Sequence, residues 1–189
     1  MTFKGIDFFN LDDELSKEEK LIRQAVRDYL AKEIEPLVAE AFHAEKPLNF
    51  TQIASQMGEL GMLGAFLPQE YECPGANYVE FGLICQEVER VDSALRSFVA
   101  VTSGLVMYPI WRFGSEEQKK KYLPRLSRGE IIGCYGLTEP NHGSDPVSME
   151  TTAQKDGREW ILNGTKTWIT EADIADIAVV FARDTSDDT

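Results

Sequence analysis

Apolar residues along this 189-residue chain change their spacing once, near Gly129 to Ile132. Up to that point they recur at three- and four-residue intervals, the period of a helix with one buried face. Beyond it they alternate, the period of a strand. A single switch, helices first and strands after, predicts an α+β chain with segregated layers. The expected organisation is an all-α N-terminal domain over residues 1–130, followed by the first strands of an antiparallel β domain over residues 131–189.

Local signals place the helix ends. Ser16 with Glu19 three residues on makes a reciprocal cap ahead of Ile22, Val26, Tyr29 and Ile34, and Pro36 bends or ends that helix. Ile53, Met57 and Leu60 mark a short helix that stops at Gly61. After it GMLGAFLPQEYECPGA reads as a turn-rich loop, of a length that often carries function. Asn77 and Glu80 open a third helix through Phe81, Ile84, Val88 and Val91. Asp92 or Ser93 caps a fourth, whose stretch ALRSFVAVTSGLVMYPIWRF is apolar nearly all round except at Arg96, as suits the middle of a bundle. Ser115 with Gln118 opens the last helix, which carries Lys119 to Lys121 on a solvated face and closes at Gly129. In the alternating part, Asp156-Gly157 and Asn163-Gly164 predict two hairpin turns, the second more strongly because apolar alternation flanks it on both sides. About four strands with an open last edge predict a sheet that continues beyond Thr189.

A hydrophobic share of 43% is enough for a folded core. The net charge of -13 argues against a nucleic-acid groove or an anionic membrane as partner, because the long-range field repels phosphate. Any anionic ligand must then be bound locally. No uninterrupted run of eighteen apolar residues and no basic leader occurs, so a cytoplasmic address is expected. Cys73, Cys85 and Cys134 are too scattered for a disulfide framework or a zinc site, and His43 has no second ligand at useful spacing, so no metal is expected. His142, Ser144 and Asp145 share one loop and do not supply the hydrogen-bonded relay of a hydrolytic triad. The phosphate loop G-x-x-x-x-G-K-[ST] and a G-x-G-x-x-G after a strand are both missing.

Two segments carry chemistry. GCYGLTEPNHGSD, from Gly133 to Asp145, runs from a strand into a loop offering hydroxyls at Thr138 and Ser144 and open backbone around Gly143. NGTKTWIT delivers an indole at Trp168, followed by Thr170. An aromatic plane beside hydroxyl and amide donors suits a flat heterocycle with a polar edge, such as a flavin. Taken alone, Trp168 reads equally as a core residue.

These two segments, in this order and at this separation, resemble the paired flavin signatures of the acyl-CoA dehydrogenases. The similarity extends over essentially the whole chain, including DELSKEEKLIRQAVRDYL and FGSEEQKKKYLPRLSRGE. It implies FAD as cofactor, with Tyr135, Gly136, Leu137, Thr138, Gly143 and Ser144 along the isoalloxazine and ribityl region and Trp168, Ile169 and Thr170 covering the ring. Ser144 is additionally implied to touch the acyl-CoA substrate. Electron-transfer flavoprotein is the implied electron acceptor, and a homotetramer the implied assembly. One departure is local: the family usually has Asn after WIT, and here Glu171 brings a carboxylate to the flavin entrance.

Within the family, ERVDSALRSFVAVTSGLVMYPI most resembles the glutaryl-CoA dehydrogenases, whose Arg-Ser pair holds the distal carboxylate of the substrate. Arg96 and Ser97 match that pair. A guanidinium on an apolar helix is costly to bury unless an anion pairs with it, which agrees. Glu89, seven residues earlier, could orient Arg96; the plainer reading is a structural Arg-Glu pair. The implied reaction is α,β-dehydrogenation, followed in a glutaryl-type enzyme by decarboxylation to crotonyl-CoA. Alternatives are another short-chain or dicarboxylyl-CoA substrate, or a truncated, non-catalytic helical module. The family's general base is a glutamate of a C-terminal helical domain, so no catalytic residue is expected within Met1 to Thr189, and Glu139 does not take that role.

Overall fold

Three reciprocal caps set the helical frame, as their local signals predict. Ser16 Oγ accepts the N–H of Glu19 at 3.1 Å while the Glu19 carboxylate accepts the N–H of Ser16 at 2.7 Å. The same exchange joins Asn77 to Glu80 and Ser115 to Gln118. The computed structural model describes residues 8–186. After a short α1 (Leu11–Glu14), the rod α2 (Lys17–Tyr29) passes through a π-helical turn at Leu30–Ile34 and restarts as α3 (Glu35–Ala44). Pro36 does not end the rod. It lies in the first turn of α3, directly after the π-helical turn, where Glu35 N–H reaches back five residues to the Leu30 carbonyl.

The short helix α4 (Phe50–Glu59) is capped by Asn49. The loop after it is a core filler: Met62, Leu63, Ala65 and Leu67 are buried, Gly64 N–H donates to Ser103 Oγ at 2.8 Å, and Ser127 Oγ donates to the Leu63 carbonyl at 3.2 Å. α5 (Tyr78–Val91) packs along α2, where the Arg27 guanidinium forks onto the buried Glu87 carboxylate at 2.7 and 2.8 Å. Asp92 then turns to extended backbone and accepts the N–H of Leu95, opening α6 (Ser93–Ala100). A second π-helical turn, Val101–Met107, leads into α7 (Tyr108–Phe113).

Ser93–Phe113 is a 21-residue rod, long and apolar enough to cross a bilayer by length and composition alone. Here Leu95, Phe98, Val99, Val106 and Met107 pack in the helical core. The last helix, α8 (Glu116–Ser127), closes with Gly129 N–H donating to Leu126 O and Glu130 N–H to Arg125 O, at Gly129 φ 65°. A side chain at Gly129 would also strike the α4 backbone, its Cβ 2.1 Å from the Ala54 carbonyl.

Strands β1 (Gly133–Gly136), β2 (Thr152–Asp156), β3 (Glu159–Asn163), β4 (Ile177–Val180) and β5 (Arg183–Asp184) follow. β2 and β3 form the antiparallel hairpin expected at Asp156-Gly157. The other pairings depart from the antiparallel expectation: β1 runs parallel to β4 in the register Gly133↔Ile177 to Gly136↔Val180, and β2 parallel to β5. The connection between Gly136 and Ile177 is long enough to return the chain to the same end of the sheet, which parallel pairing requires. The hairpin expected at Asn163-Gly164 does not form. There the chain crosses over Thr151, with φ 157° at Gly164 and only 2.4 Å between a notional Cβ and Thr151 Oγ1. Ile177 and Val179 of β4 pack on the helical cluster of Leu67, Val106, Met107 and Leu123, which seats the strands against the helices.

Candidate functional site

The stretch that follows Gly164 and leads to Trp168 is held by the loop after β1, not by a strand ladder. Thr167 N–H donates to the Thr138 carbonyl at 2.9 Å, and the Lys166 ammonium donates to the Leu137 carbonyl at 2.9 Å and to Glu139 at 2.7 Å. The two chemistry-bearing segments therefore lie side by side. Glu139, 3% exposed, also accepts the N–H groups of Glu150 and Thr151. Burial alone would raise its carboxyl, but the Lys166 ammonium and these donors together outweigh it and hold the group well below the usual carboxylate range. Sequence reading placed Glu139 in the loop without finding this tie; a lysine 27 positions away gives no local signal. Glu139, His142 and Glu150 also bring one ligand atom each within 4.8 Å, but the Glu139 oxygens are already engaged by these donors.

Trp168 adopts a left-handed backbone conformation, φ 57°, and stands 90% exposed. Such a conformation is uncommon for a bulky residue. It turns the indole away from the core, so the core reading of Trp168 does not hold. Thr170 and Ser144 are exposed, Thr138 and Ile169 half-buried. Around Gly143, a notional Cβ would meet nothing within 4 Å. Tyr135 lies edge-on to Phe181, and the buried Gly136 carbonyl accepts the Phe181 N–H. The resulting surface offers one open indole, accessible hydroxyls and unobstructed backbone, a donor set that suits a planar heterocycle with a polar edge.

A cavity of about 590 Å³ opens next to this surface, between the N-terminal end of α4, the start of α6 and the segment after Trp168. Asn49, Thr51, Ser97, Thr170, Glu171 and Ile174 are among its walls. Ser97 and Thr170, 73 positions apart in sequence, thus share one enclosure. Glu171 is also left-handed, φ 66°, and neither carboxyl oxygen has a hydrogen-bond partner although both are buried. Burial pushes its carboxyl up to about 8. A second concavity of about 600 Å³ beside β4 and α7 contains none of the expected site residues.

Arg96 is not buried. Its side chain is 38% exposed, and its Nε donates to Glu89 at 2.7 Å across the break between α5 and α6. The argument that burial obliges Arg96 to find an external anion therefore fails, because an anion from the chain already pairs with a solvated guanidinium. Arg96, with Ser93 Oγ at 2.7 Å, holds the Glu89 carboxyl below its ordinary range. Ser97, one residue on, faces the cavity.

Comparison with known proteins matches residues 16–130 to "Acyl-CoA dehydrogenase, N-terminal domain" and residues 134–189 to "Acyl-CoA dehydrogenase, middle domain". Mitochondrial isovaleryl-CoA dehydrogenase of Pongo abelii is 38% identical over 169 residues, which are 89% of this chain and 40% of that protein. Glutaryl-CoA dehydrogenase of Desulfococcus multivorans is 37% identical over 174 residues, 91% of this chain and 44% of that protein. A crystal structure of a glutaryl-CoA dehydrogenase from Mycobacterium smegmatis in complex with FADH2 superposes with a TM-score of 0.88 at 46% identity, covering 94% of this chain and 45% of that one. The chain thus spans less than half the length of these relatives. From both domain matches and this likeness in fold, the chain belongs to the acyl-CoA dehydrogenase family.

Proposed function

We propose that this chain supplies the flavin half-site and the acyl pocket of an FAD-dependent acyl-CoA dehydrogenase acting on glutaryl-CoA. The observation that supports the proposal is the shared cavity, since Ser97, which resembles the carboxylate-holding serine, and Thr170, which resembles the flavin-covering segment, both line it. The exposed Trp168 indole stacks on the ring, Ile169 and Thr170 cover it, and Thr138 donates to its edge. Tyr135, Gly136, Leu137, Gly143 and Ser144 line its length, with Ser144 also touching the acyl-CoA. Bound there, FAD would supply the acceptor for the hydride that leaves the β-carbon of the thioester. The chain's own residues would bind and orient: Ser97 on the cavity wall and Arg96 beside it, off the wall, would hold the distal carboxylate, and Glu89 holds the guanidinium in place. The α-proton is left to a base outside this chain, as the family resemblance implies, and Glu139 is committed to Lys166 instead. Loss of the γ-carboxylate as carbon dioxide then yields crotonyl-CoA, and electrons pass to electron-transfer flavoprotein from a homotetramer.

One observation favours a second reading, a monocarboxylic short-chain or branched acyl-CoA as substrate: Glu89 already neutralises Arg96. Arg96→Ala separates the two. A loss of glutaryl-CoA binding of about tenfold or more with butyryl-CoA unchanged supports the glutaryl assignment, whereas equal losses on both sink it. Flavin binding has its own check. Trp168→Ala is expected to weaken FAD retention, followed by the yellow absorbance of the purified protein.

A further inference from the structure

An ionised carboxylate needs hydrogen-bond donors or a cation, and among the described residues no protein group offers Glu171 either. Its two oxygens are buried without a partner, and the cavity wall around it is free of lysine and arginine. The titratable neighbours are few. Asp173 stands on the same segment at the cavity, and the Cys134 thiol of β1 is pushed up by burial and then by the Glu171 charge. The walls from residues 47–51 and from Ala94 and Ser97 carry no titratable group. None of these groups offers positive charge. The group is therefore stable in its present place only as a neutral acid.

Ionisation removes that stability. The nearest open space is the cavity that Glu171 itself lines, so an ionised Glu171 has to turn its charge into that space or draw solvent in through it. We propose that Glu171 sets which acyl groups the cavity accepts: as a neutral acid it admits an acyl chain ending in a carboxylate, and as an anion it rejects that chain while leaving uncharged acyl ends unaffected. The inference rests on the reading of the cavity as the acyl pocket. The effect is a specificity switch: two like charges a few ångströms apart in a partly desolvated pocket repel strongly enough to change affinity by about tenfold or more.

The test compares glutaryl-CoA with butyryl-CoA, which share every group except the distal carboxylate, so that titration of the coenzyme itself cancels. Dissociation constants for both are measured by calorimetry near pH 7 and near pH 9.5. The preference for glutaryl-CoA over butyryl-CoA is expected to fall about tenfold over that interval in the unmodified protein. In Glu171→Gln it is expected to stay at its value near pH 7. A preference in the unmodified protein that does not change with pH overturns the inference, as does a fall of the same size in Glu171→Gln. Carbon-13 NMR titration of the Glu171 carboxyl in the unmodified protein needs no variant to fold. A midpoint near 8 supports the inference, and one in the ordinary carboxylate range overturns it. Arg96→Ala separates the two levels of argument. If it lowers the glutaryl preference while pH does not, the acyl pocket stands and the role of Glu171 falls. If neither thioester binds, both fall together.

Discussion

Glu139 and Glu171 lie on the same candidate site, and their surroundings drive their carboxyls in opposite directions. Glu139 is held ionised by Lys166 and backbone donors, so its contribution to stability is present above the ordinary carboxylate range and is lost as pH falls below about 4. Glu139→Gln is expected to lower Tm by several degrees near pH 6, with the deficit shrinking as the pH falls from about 4 toward about 2 in thermal scans. Glu171 has the reverse sign. The folded chain keeps a proton that the unfolded chain has released, so stability is full below about 4 and declines as pH rises to about 8. Glu171→Gln should therefore exceed the unmodified protein by on the order of 2 kcal/mol near pH 8, allowing for solvent screening, and match it near pH 4, as read from urea midpoints. Sequence reading placed Glu139 in the loop after β1 and a carboxylate at position 171, and went no further for either. Whether a carboxyl is held ionised or kept neutral depends on donors brought in by folding, which no local pattern encodes.

Element boundaries were legible where one residue satisfies another three positions away. Ser16, Asn77 and Ser115 each cap a helix at the place their spacing indicates, because the N–H groups involved lie within one turn. The two π-helical turns and the parallel pairing of β1 with β4 were not legible, since both answer to partners far along the chain. Asp92 is the cap with the most attached to it. Its side chain starts α6 and so sets the position from which Arg96 reaches Glu89. Asp92→Ala should cost about 1 kcal/mol by urea denaturation. At the other end of the bundle, Gly129→Ala should cost about 3 kcal/mol or more by the same measurement. It combines a left-handed backbone with a side chain driven into the α4 carbonyl of Ala54.

At the scale of the whole molecule, exposed apolar side chains and a large negative charge oppose each other. Phe42, Phe113, Trp160 and Leu162 are among the large apolar residues left on the surface, and β3 is exposed along its whole length. A net charge of -13 keeps copies apart at low salt, and salt removes that protection. Sedimentation should therefore show a mass that rises between about 0.05 and 0.5 M salt, and Trp160→Glu with Leu162→Glu should reduce the rise.

The parallel pairing of Gly133 with Ile177 also governs when the site comes into being. The helices all precede Ile177 along the chain and can pack before it is made, whereas β1 cannot meet β4 until the chain between them has been made and ordered. The seat for Trp168 and Thr170 therefore assembles late, on a helical bundle already in place. A chain paused in synthesis before Ile177 would present finished helices and an unformed binding surface. Slowing of β-strand docking, without any change in the final fold, would show first as delayed uptake of ligand.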